Sequence, residues 1–402
     1  MTEVQLGLFE LLAELLATLL DQTSIFFSQN LIELSHYIID PNKRIFGIYL
    51  LSAALLAIPV YLAALRKAQT AQTNSKNNQT TSNQPESNQL GDNQPRNNQL
   101  ENSHPKNKGS GAIADFLAFL LPKRIYTHPS AKQDYALFVI NKCVRALLIA
   151  PVVITMVPIA LGTTDILESI FGQQQPITQS PTVIIVSFTI MLFIFDDLTR
   201  FLLHLALHKI PVLWEFHKVH HSAKVLTPFT IYRSHPLENF LYASRMAIAQ
   251  GMSVGIGYFL FGPTLNMLDI LGANIFVFIF NLFGSNLRHS HIWLSWGNRV
   301  ENWFISPAQH QIHHSDNPTH FDRNLGSALA IWDKLAGTLI KASDVESISL
   351  GAGKQHTGHQ TLLAIYFEPF RDAFMTIRPK RTKSATRPPN SPNPPNPPSP
   401  PS

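Results

Sequence analysis

The chain contains three clusters of histidine that could bind metal ions. Eleven of its seventeen histidines lie between His204 and His314, and eight of these fall into tight groups. The groups are His204/His208, His217/His220/His221 and His310/His313/His314. Because residues three or four positions apart share one face of a helix, each group can direct its imidazoles toward one volume. Eight imidazoles are more than one tetrahedral zinc ion can use, so the pattern predicts two metal ions.

The ligand type narrows the choice of metal. Imidazole binds iron, copper, nickel and zinc. Cys143 is the only cysteine, which excludes a disulfide framework and any zinc or iron–sulfur site built on cysteines. A dinuclear centre with open coordination positions can bind and activate dioxygen, and this makes iron the chemically favoured element.

Four more histidines near the clusters are candidate metal ligands or residues that orient ligands. They are His235, His289, His291 and His320. His289 is the strongest of them, because a second metal ion would otherwise lack nitrogen ligands. A structural role is the alternative for each, and His291 could instead be polar lining at the membrane surface.

Asp197 is the candidate catalytic residue of the site. It follows an apolar run, where a carboxylate is costly unless it has a partner. It also lies two helical turns before His204, on the same face. We expect its carboxylate to accept the outer N–H of a ligating histidine and so fix the tautomer of that ring. A simple pair with Arg200 is the alternative.

The elements that must position these residues are apolar helices, and the fold class is all-α. A run of about 20 apolar residues is long enough to cross a bilayer. The sequence predicts an integral membrane bundle of about four to five spanning helices. The apolar runs lie at 46–65, 137–161, 182–203, 246–262 and 264–284. The last two meet at Gly262-Pro263, which predicts a helical hairpin between the second and third histidine clusters. An even number of crossings would return all the clusters to one side.

The distribution of charge predicts which side that is. Residues 162–181 contain Asp165 and Glu168 but no lysine or arginine. The segments that carry the histidines are basic, and basic loops favour the cytoplasm. We therefore expect a multi-pass protein whose metal site faces the cytoplasm.

The histidine motifs resemble those of a known family. HLALH, HKVHHS, RSHPLE, HQIHHSDNPTHFDRNLG and WDKLAGTL occur in this order within residues 186–342. This set resembles the fatty acid hydroxylase and sterol desaturase superfamily of integral-membrane di-iron oxygenases. The resemblance implies a helical membrane fold, a cytoplasm-facing di-iron centre, dioxygen as oxidant and a lipid C–H bond as target.

The resemblance also assigns roles to individual residues. Family ligands correspond to the eight clustered histidines, with His289 matching a frequent additional ligand. Asp197 matches the acidic residue that often precedes the first cluster. Leu205 and Phe201 stand where many members have Arg and Tyr, and His291 stands where Asn is common. These differences leave the substrate subclass open.

Composition and resemblance together divide the chain into four parts. Residues 1–68 hold an N-terminal amphipathic segment, at 4–20, and the first span. Residues 69–110 are rich in Asn, Gln, Ser and Pro and are predicted to be a disordered linker. Residues 111–345 form the fatty acid hydroxylase-like catalytic domain, and 346–402 a C-terminal extension with a basic, Pro-rich tail. That tail accounts for the net charge of +5, so nucleic acid is not an expected partner.

The expected function is oxidation of a lipid with two iron ions and dioxygen, either by hydroxylation or by desaturation. The chain has no GxGxxG dinucleotide motif and no haem-binding domain, so electrons should come from a separate ferredoxin, cytochrome or reductase. A histidine-rich metal transporter and a zinc-dependent membrane hydrolase are the alternatives. The substrate could be a sterol, a fatty acyl chain, an ether lipid or a carotenoid.

Overall fold

Most of the described residues lie in helices. The computed structural model describes residues 3–81, 111–263, 265–353 and 361–377. Its α-helices are α1 (Glu3–Ser35), α2 (Gly47–Thr81), α3 (Ala112–Leu120), α4 (Lys123–Tyr126), α5 (Pro129–Val144), α6 (Met156–Phe171), α7 (Pro181–Lys209), α8 (Pro211–His221), α9 (Pro236–Phe261), α10 (Ile275–Leu282), α11 (Gly297–Val300), α12 (Pro307–His313), α13 (Ile331–Ala336) and α14 (Leu362–Ile377).

Short elements connect these helices. A π-helical turn, Arg145–Ile149, follows α5. Single 3₁₀ turns occupy His36–Ile38, Pro228–Tyr232, Ser285–His289, Pro318–His320 and Ala342–Asp344. One antiparallel hairpin pairs β1 (Asp269–Ile270) with β2 (Ala273–Asn274). Within the described residues, the predicted all-helical class is therefore confirmed apart from this hairpin.

Two helices in the described part of the chain are long and apolar enough to cross a membrane, by length and composition. They are α2, over Gly47–Ala71, and α7. Both correspond to predicted spans. Large apolar side chains on both helices face outward, including Leu51, Leu55 and Val183. The four to five spanning helices expected from the sequence are not confirmed.

The predicted span at 137–161 is wrong as a single helix. The chain leaves α5 through the π-helical turn and is not helical again until Met156 begins α6. Pro151 lies in this break, and proline cannot donate the backbone hydrogen bond that a continuous helix would need.

The predicted hairpin of two long helices at Gly262-Pro263 is also wrong in its second arm. The first arm is α9, which ends at Phe261 and is capped by Gly262 at φ 76°. The run at 264–284 instead forms the β-hairpin and the eight-residue helix α10. Leu271 and Gly272 both have positive φ in the hairpin turn, and the Asn274 side chain caps α10. Turn-forming residues thus overrode a high content of apolar residues.

The N-terminal region is more helical than predicted. The expected helix at 4–20 extends to Ser35 as α1, and α2 continues to Thr81. The first part of the predicted disordered linker, 69–81, is therefore helical. Residues 82–110 and the C-terminal tail from 378 lie outside the described residues.

Helix α9 packs against α6 through glycine. A Cβ added at Gly255 would lie 2.6 Å from the carbonyl oxygen of Ala160, and one at Gly251 would lie 2.7 Å from the Ile159 side chain. The Thr164 hydroxyl also donates to the Gly255 carbonyl oxygen, at 3.2 Å. Two glycines four residues apart let the helix backbones approach closely, which fixes the position of α9 beside the site.

The C-terminal helix α14 supports α8 from outside. Ile365 of α14, Val219 of α8 and Leu137 of α5 form one buried apolar cluster. The Tyr366 hydroxyl donates to Asn141 Oδ1 at 2.8 Å. Helix α8, which carries the second histidine cluster, is thereby held between α5 and α14.

Candidate metal centre

The first two clusters face each other across a sharp turn. His204 and His208 lie in the last turns of α7, and His217, His220 and His221 lie at the end of α8. Pro211 takes the first helical position of α8, where a missing N–H costs nothing. The turn at Ile210 folds α8 back against α7. As a result, Nε2 of His204 lies 3.1 Å from Nε2 of His217.

The third cluster is carried by the short helix α12. Ser306 and Gln309 form a reciprocal capping box at its N-terminus, and Pro307 occupies its first position. Glu301, which is fully buried, accepts a hydrogen bond from the Ser306 hydroxyl at 2.8 Å. These local interactions define the orientation of a seven-residue helix that would be marginal alone.

Nine histidines come together in two adjacent groups. They are His204, His208, His217, His221 and His313 in the first group, and His220, His289, His310 and His314 in the second. In each group one nitrogen per ring lies within 4.8 Å of all the others. The groups adjoin, since the rings of His221 and His314 stack with their centroids 4.8 Å apart. All eight clustered histidines are included, and so is His289 from the separate NLRHSH motif.

The donor set of the second group fits a bound cation. Nε2 of His289 lies 3.1 Å from Nε2 of His310, 3.2 Å from that of His314 and 3.3 Å from that of His220. A neutral imidazole carries one hydrogen, so this nitrogen cannot form three hydrogen bonds at once. The remaining contacts would place like groups against each other, lone pair against lone pair or N–H against N–H. A cation among the four nitrogens would remove that repulsion.

The first group fits a cation on independent grounds. Nε2 atoms of His208, His221 and His313 are buried and have no hydrogen-bond partner. Buried polar atoms without a partner are costly and rare. Five imidazoles also exceed the ligand number of tetrahedral zinc, which favours a metal with a larger coordination number.

Burial keeps these rings neutral. It lowers the pKa of His220 to about 4 and lowers the pKa of His217, His289 and His313 well below the ordinary value. Neighbouring histidines lower the pKa of His217 further, because two positive rings would repel. Neutral imidazole is the form that binds a metal ion.

Backbone carbonyl groups set the tautomer of three rings. Nδ1 of His204 donates to the Leu325 carbonyl oxygen at 2.7 Å. Nδ1 of His313 donates to the Arg323 carbonyl oxygen at 2.9 Å. Nδ1 of His220 donates to a third carbonyl oxygen at 3.2 Å. The last acceptor belongs to Arg233. A carbonyl oxygen only accepts, so the hydrogen is on Nδ1 and the lone pair of Nε2 points into the centre.

Two carboxylates orient two further rings, and both were missed in the sequence. Glu238 Oε1 accepts from His217 Nδ1 at 3.0 Å, and Asp322 Oδ1 accepts from His208 Nδ1 at 3.2 Å. Hydrogen bonds from His208 and Lys209 lower the pKa of Asp322 to about 2. Such partners raise the basicity of a ligating histidine. Their signal was an acidic residue inside the motifs RSHPLE and HFDRNLG.

Asp197 does not contact a histidine, and the expectation that it orients a ligand directly is wrong. Its Oδ1 accepts a hydrogen bond from the backbone N–H of Ala328 at 2.8 Å. Its Oδ2 accepts one from the backbone N–H of Leu329 at 3.0 Å and one from the indole N–H of Trp332 at 2.9 Å. The predicted alternative partner, Arg200, pairs with Asp196 instead. Asp197 thus anchors the loop that follows Leu325.

A second buried carboxylate anchors the same loop. Asp333 accepts from the backbone N–H groups of Leu325 and Gly326, at 2.8 and 2.6 Å. A Cβ at Gly326 would lie 2.7 Å from Asp333 Oδ2, so only glycine fits. These contacts explain the NLG and WDKLAGT motifs: they hold the Leu325 carbonyl group against His204.

A buried ion pair holds in place the carbonyl group that orients His220. Arg233 Nη1 donates to Asp134 Oδ1 at 2.9 Å, and both side chains are almost inaccessible. The guanidinium also donates from Nε to the Val219 carbonyl oxygen at 3.0 Å. The carbonyl oxygen of Arg233, which accepts from His220, is therefore fixed from two sides.

The remaining candidate histidines lie outside both groups. His235 caps α9, because its Nδ1 accepts a hydrogen bond from the Leu237 backbone N–H. Its Nε2 lies 3.1 Å from the backbone carbonyl oxygen of Tyr366. Nε2 of His291 lies 2.7 Å from the Phe119 carbonyl oxygen, and Nδ1 of His320 lies 3.0 Å from the Ser315 hydroxyl. The structure gives these three rings structural contacts and does not bring them to the centre.

Two cavities adjoin the centre. One, of about 380 Å³, is lined by histidines of both groups, among them His204 and His289. The other, of about 260 Å³, is lined by three rings of the first group together with Trp214 and Phe321. Molecules could therefore approach the histidines from either cavity.

Residues 189–338 match the family model described as fatty acid hydroxylase. Similar proteins include alkylglycerol monooxygenase of Danio rerio, 28% identical over 38% of this chain and 30% of that protein. Lathosterol oxidase of Homo sapiens is 27% identical over 40% of this chain and 48% of its own length. Ornithine lipid hydroxylase of Rhizobium tropici is 28% identical over 42% of this chain and 46% of its own length. No solved structure matches the chain.

These matches define the class of the site. The region that holds the nine histidines matches the fatty acid hydroxylase family model and is similar to a monooxygenase, an oxidase and a sterol desaturase, in agreement with the resemblance of the motifs. The chain spans less than half the length of the three relatives named above. The family and the histidine groups together identify a helical, histidine-rich site of a kind that could bind metal.

Proposed function

We propose that the protein is a membrane-bound, non-haem di-iron oxidoreductase that uses dioxygen to hydroxylate or desaturate a lipid. The observation that carries this proposal is the convergence of nine neutral imidazoles into two adjacent groups. The relatives supply the reaction class, since their names describe a monooxygenase, an oxidase, desaturases and a hydroxylase.

The proposed ligands are the nine grouped histidines, five for one ion and four for the other. Two iron ions held there would supply the redox chemistry that oxidation of a C–H bond by dioxygen needs. The protein's own residues hold the rings in place. Glu238, Asp322 and three backbone carbonyl groups keep hydrogen on Nδ1, and Asp197 and Asp333 hold the loop that provides one of those carbonyl groups.

Membrane attachment is supported by the exposed apolar faces of α2 and α7. Leu55 on α2 and Ile190 on α7 are among the large side chains left exposed there. Exposed apolar side chains along a helix of this length are unfavourable in water and favourable against lipid. We infer a multi-pass protein with its histidine groups on the cytoplasmic side, because the segments around them are basic. Electrons would come from a separate ferredoxin, cytochrome or reductase.

The first test is the metal content and the oxygen requirement of the purified full-length protein. We expect two irons per chain. Lipid extracts from cells with and without the protein, compared by mass spectrometry, should show a lipid that has gained one oxygen or lost two hydrogens. Zinc alone, with activity in the absence of oxygen, would point to the hydrolase alternative. Metal flux into vesicles would point to a transporter.

The second test removes one ligand from each group. His220→Ala and His313→Ala should each lower the bound metal and abolish lipid oxidation while leaving membrane insertion intact. His36→Ala removes an exposed imidazole far along the chain from the site and is the matched control. Full metal content and full activity in His220→Ala or His313→Ala would remove that residue from the ligand set.

A further inference from the structure

The cavity of about 380 Å³ beside the histidines is lined by an unusual number of arginines. They are Arg44, Arg145, Arg200, Arg245 and Arg288. They come from five separate elements: the segment before α2, the π-helical turn, α7, α9 and the 3₁₀ turn at 285–289. Their meeting in one cavity is therefore a property of the tertiary fold.

Acidic side chains do not balance these charges. Asp196 is shared, since it accepts from Arg200 Nε at 2.7 Å and from Arg245 Nη1 at 2.7 Å. Glu238 also lines the cavity, with Oε1 on His217 and Oε2 buried without a partner, so that two carboxylates, Asp196 and Glu238, face five guanidinium groups. Among the described residues, Arg44, Arg145 and Arg288 take part in no salt bridge with a carboxylate. The cavity therefore carries an excess of positive charge even before a metal ion is added.

Two of these guanidinium groups also lack a hydrogen-bond partner for one nitrogen. Nε of Arg245 and Nε of Arg288 are buried without an acceptor, and their side chains are less than a tenth exposed. Burial and the charge of Arg200 together lower the pKa of Arg44 to about 10. Buried cations that face each other without counter-charges are unfavourable. An oxyanion in the cavity would supply both the charge and the missing acceptors.

We propose that this cavity binds the oxyanion group, a carboxylate or a phosphate, of an amphiphilic lipid substrate. The inference rests on the proposed function, because it takes the adjacent histidine groups to be the centre that oxidises that lipid. Ligand pockets commonly measure about 300–1,000 Å³, so this cavity is large enough for the head of a lipid. Ile231 and Met246 give the cavity an apolar wall along which the first carbons of that chain can lie.

The cavity also places the oxyanion close to the histidines. His204 and His217 of the first group line it, as do His220, His289 and His310 of the second. Arg288 connects the two regions directly, since its Nη2 lies 2.9 Å from His310 Nδ1. A lipid held by its anionic head would therefore present the carbons nearest the head to the metal centre.

The test is equilibrium binding to the metal-loaded full-length protein in neutral detergent. The probes are oleate, 1-oleoyl lysophosphatidate, the uncharged 1-oleoylglycerol and inorganic phosphate. The variants are Arg145→Gln, which alters an exposed residue and should fold normally, and Arg44→Gln. Arg299→Gln removes the same charge from an exposed site on α11 and is the control.

We expect the wild type to bind oleate or lysophosphatidate at least about tenfold more tightly than oleoylglycerol. The loss of even one charge-assisted hydrogen bond would weaken binding by that factor. Arg145→Gln and Arg44→Gln should each reduce this preference, and Arg299→Gln should keep it. Equal binding of charged and uncharged probes would overturn the proposal. So would a preference that survives both cavity replacements. If phosphate alone binds as tightly as lysophosphatidate, the cavity is a site for a free oxyanion and the lipid assignment is wrong.

Failure of this inference is distinguishable from failure of the proposed function. Metal content and oxygen-dependent oxidation are measured on the same samples. An anion preference in a protein that holds no iron and oxidises no lipid would overturn only the proposed function. Oxidation of a lipid by a protein with no anion preference would overturn only this inference.

Discussion

Replacement of Asp197 by asparagine tests whether this carboxylate acts on the site through a loop. The wild-type carboxylate accepts three hydrogen bonds, from the N–H groups of Ala328, Leu329 and the Trp332 indole. Asparagine has the same shape but offers only one acceptor oxygen. In the better of its two orientations, its amide N–H₂ faces the Ala328 N–H, and one buried donor is left without an acceptor.

The cost follows from that single lost interaction. A hydrogen bond to a charged group contributes about 1.5–3 kcal/mol, and an unsatisfied buried donor costs a similar amount. Removing a buried charge offsets part of this loss, so we expect a net destabilisation of about 1–3 kcal/mol. The Leu325 carbonyl group should then hold His204 less firmly, and the affinity of the first histidine group for metal should fall.

The assay is metal analysis together with thermal unfolding of the full-length protein in detergent. Asp197→Asn should lower the unfolding temperature by several degrees and lose up to one metal ion per chain, while the second group keeps its ion. Asp165→Asn, on the exposed surface of α6, is the control and should change neither quantity. If Asp197→Asn matched that control in both stability and metal content, the anchoring role would be refuted.

Three further predictions concern other parts of the molecule. His289→Ala should reduce metal content from two ions toward one, since its Nε2 faces three other nitrogens; an unchanged content by elemental analysis would exclude it as a ligand. Gly255→Val should destabilise the protein by about 2–3 kcal/mol, because its Cβ would meet a backbone oxygen at 2.6 Å. Gly162→Ala, whose Cβ meets nothing within 4 Å, should be neutral or stabilising in the same melting assay. Arg233→Met should lower the free energy of unfolding by about 3–5 kcal/mol, because it leaves Asp134 buried and without its charged partner. Adding Asp134→Asn should restore much of this stability. No recovery in the double variant would mean that the ion pair is not the cause.

The grouping of the clustered histidines could be predicted from the sequence because helical spacing is a local property. His217, His220 and His221 share a helix face whatever the rest of the chain does. His289 was harder, since it stands apart from the clusters in a 3₁₀ turn. It was recovered because a second metal ion required more nitrogen, and not because its spacing indicated a site.

The partners of the ligands could not be predicted, because they depend on which loops return to the site. Leu325 follows His204 by 121 positions, and it meets that ring through a backbone oxygen that every residue carries. Asp197 was identified correctly as a carboxylate that needs a partner. Its partners proved to be backbone N–H groups of a distant loop, which no side-chain pattern near Asp197 records.

Two of the predicted spans, at 137–161 and 264–284, were wrong for a related reason. Hydropathy records how apolar a segment is, but the break near Pro151 and the turn at Leu271-Gly272 depend on single residues. In the second case two consecutive residues with positive φ reverse the chain inside an apolar run. Averaging over a window hides such residues.

The order in which the ligands occur along the chain has a consequence for biosynthesis. His204 leaves the ribosome long before His314 is translated, and both histidine groups include members from the α12 cluster. Neither group can be complete on a nascent polypeptide, so under the proposed function iron would be inserted only after translation has passed α12. A supply of iron matched to newly finished chains, rather than to growing ones, would then limit how much active protein a cell accumulates.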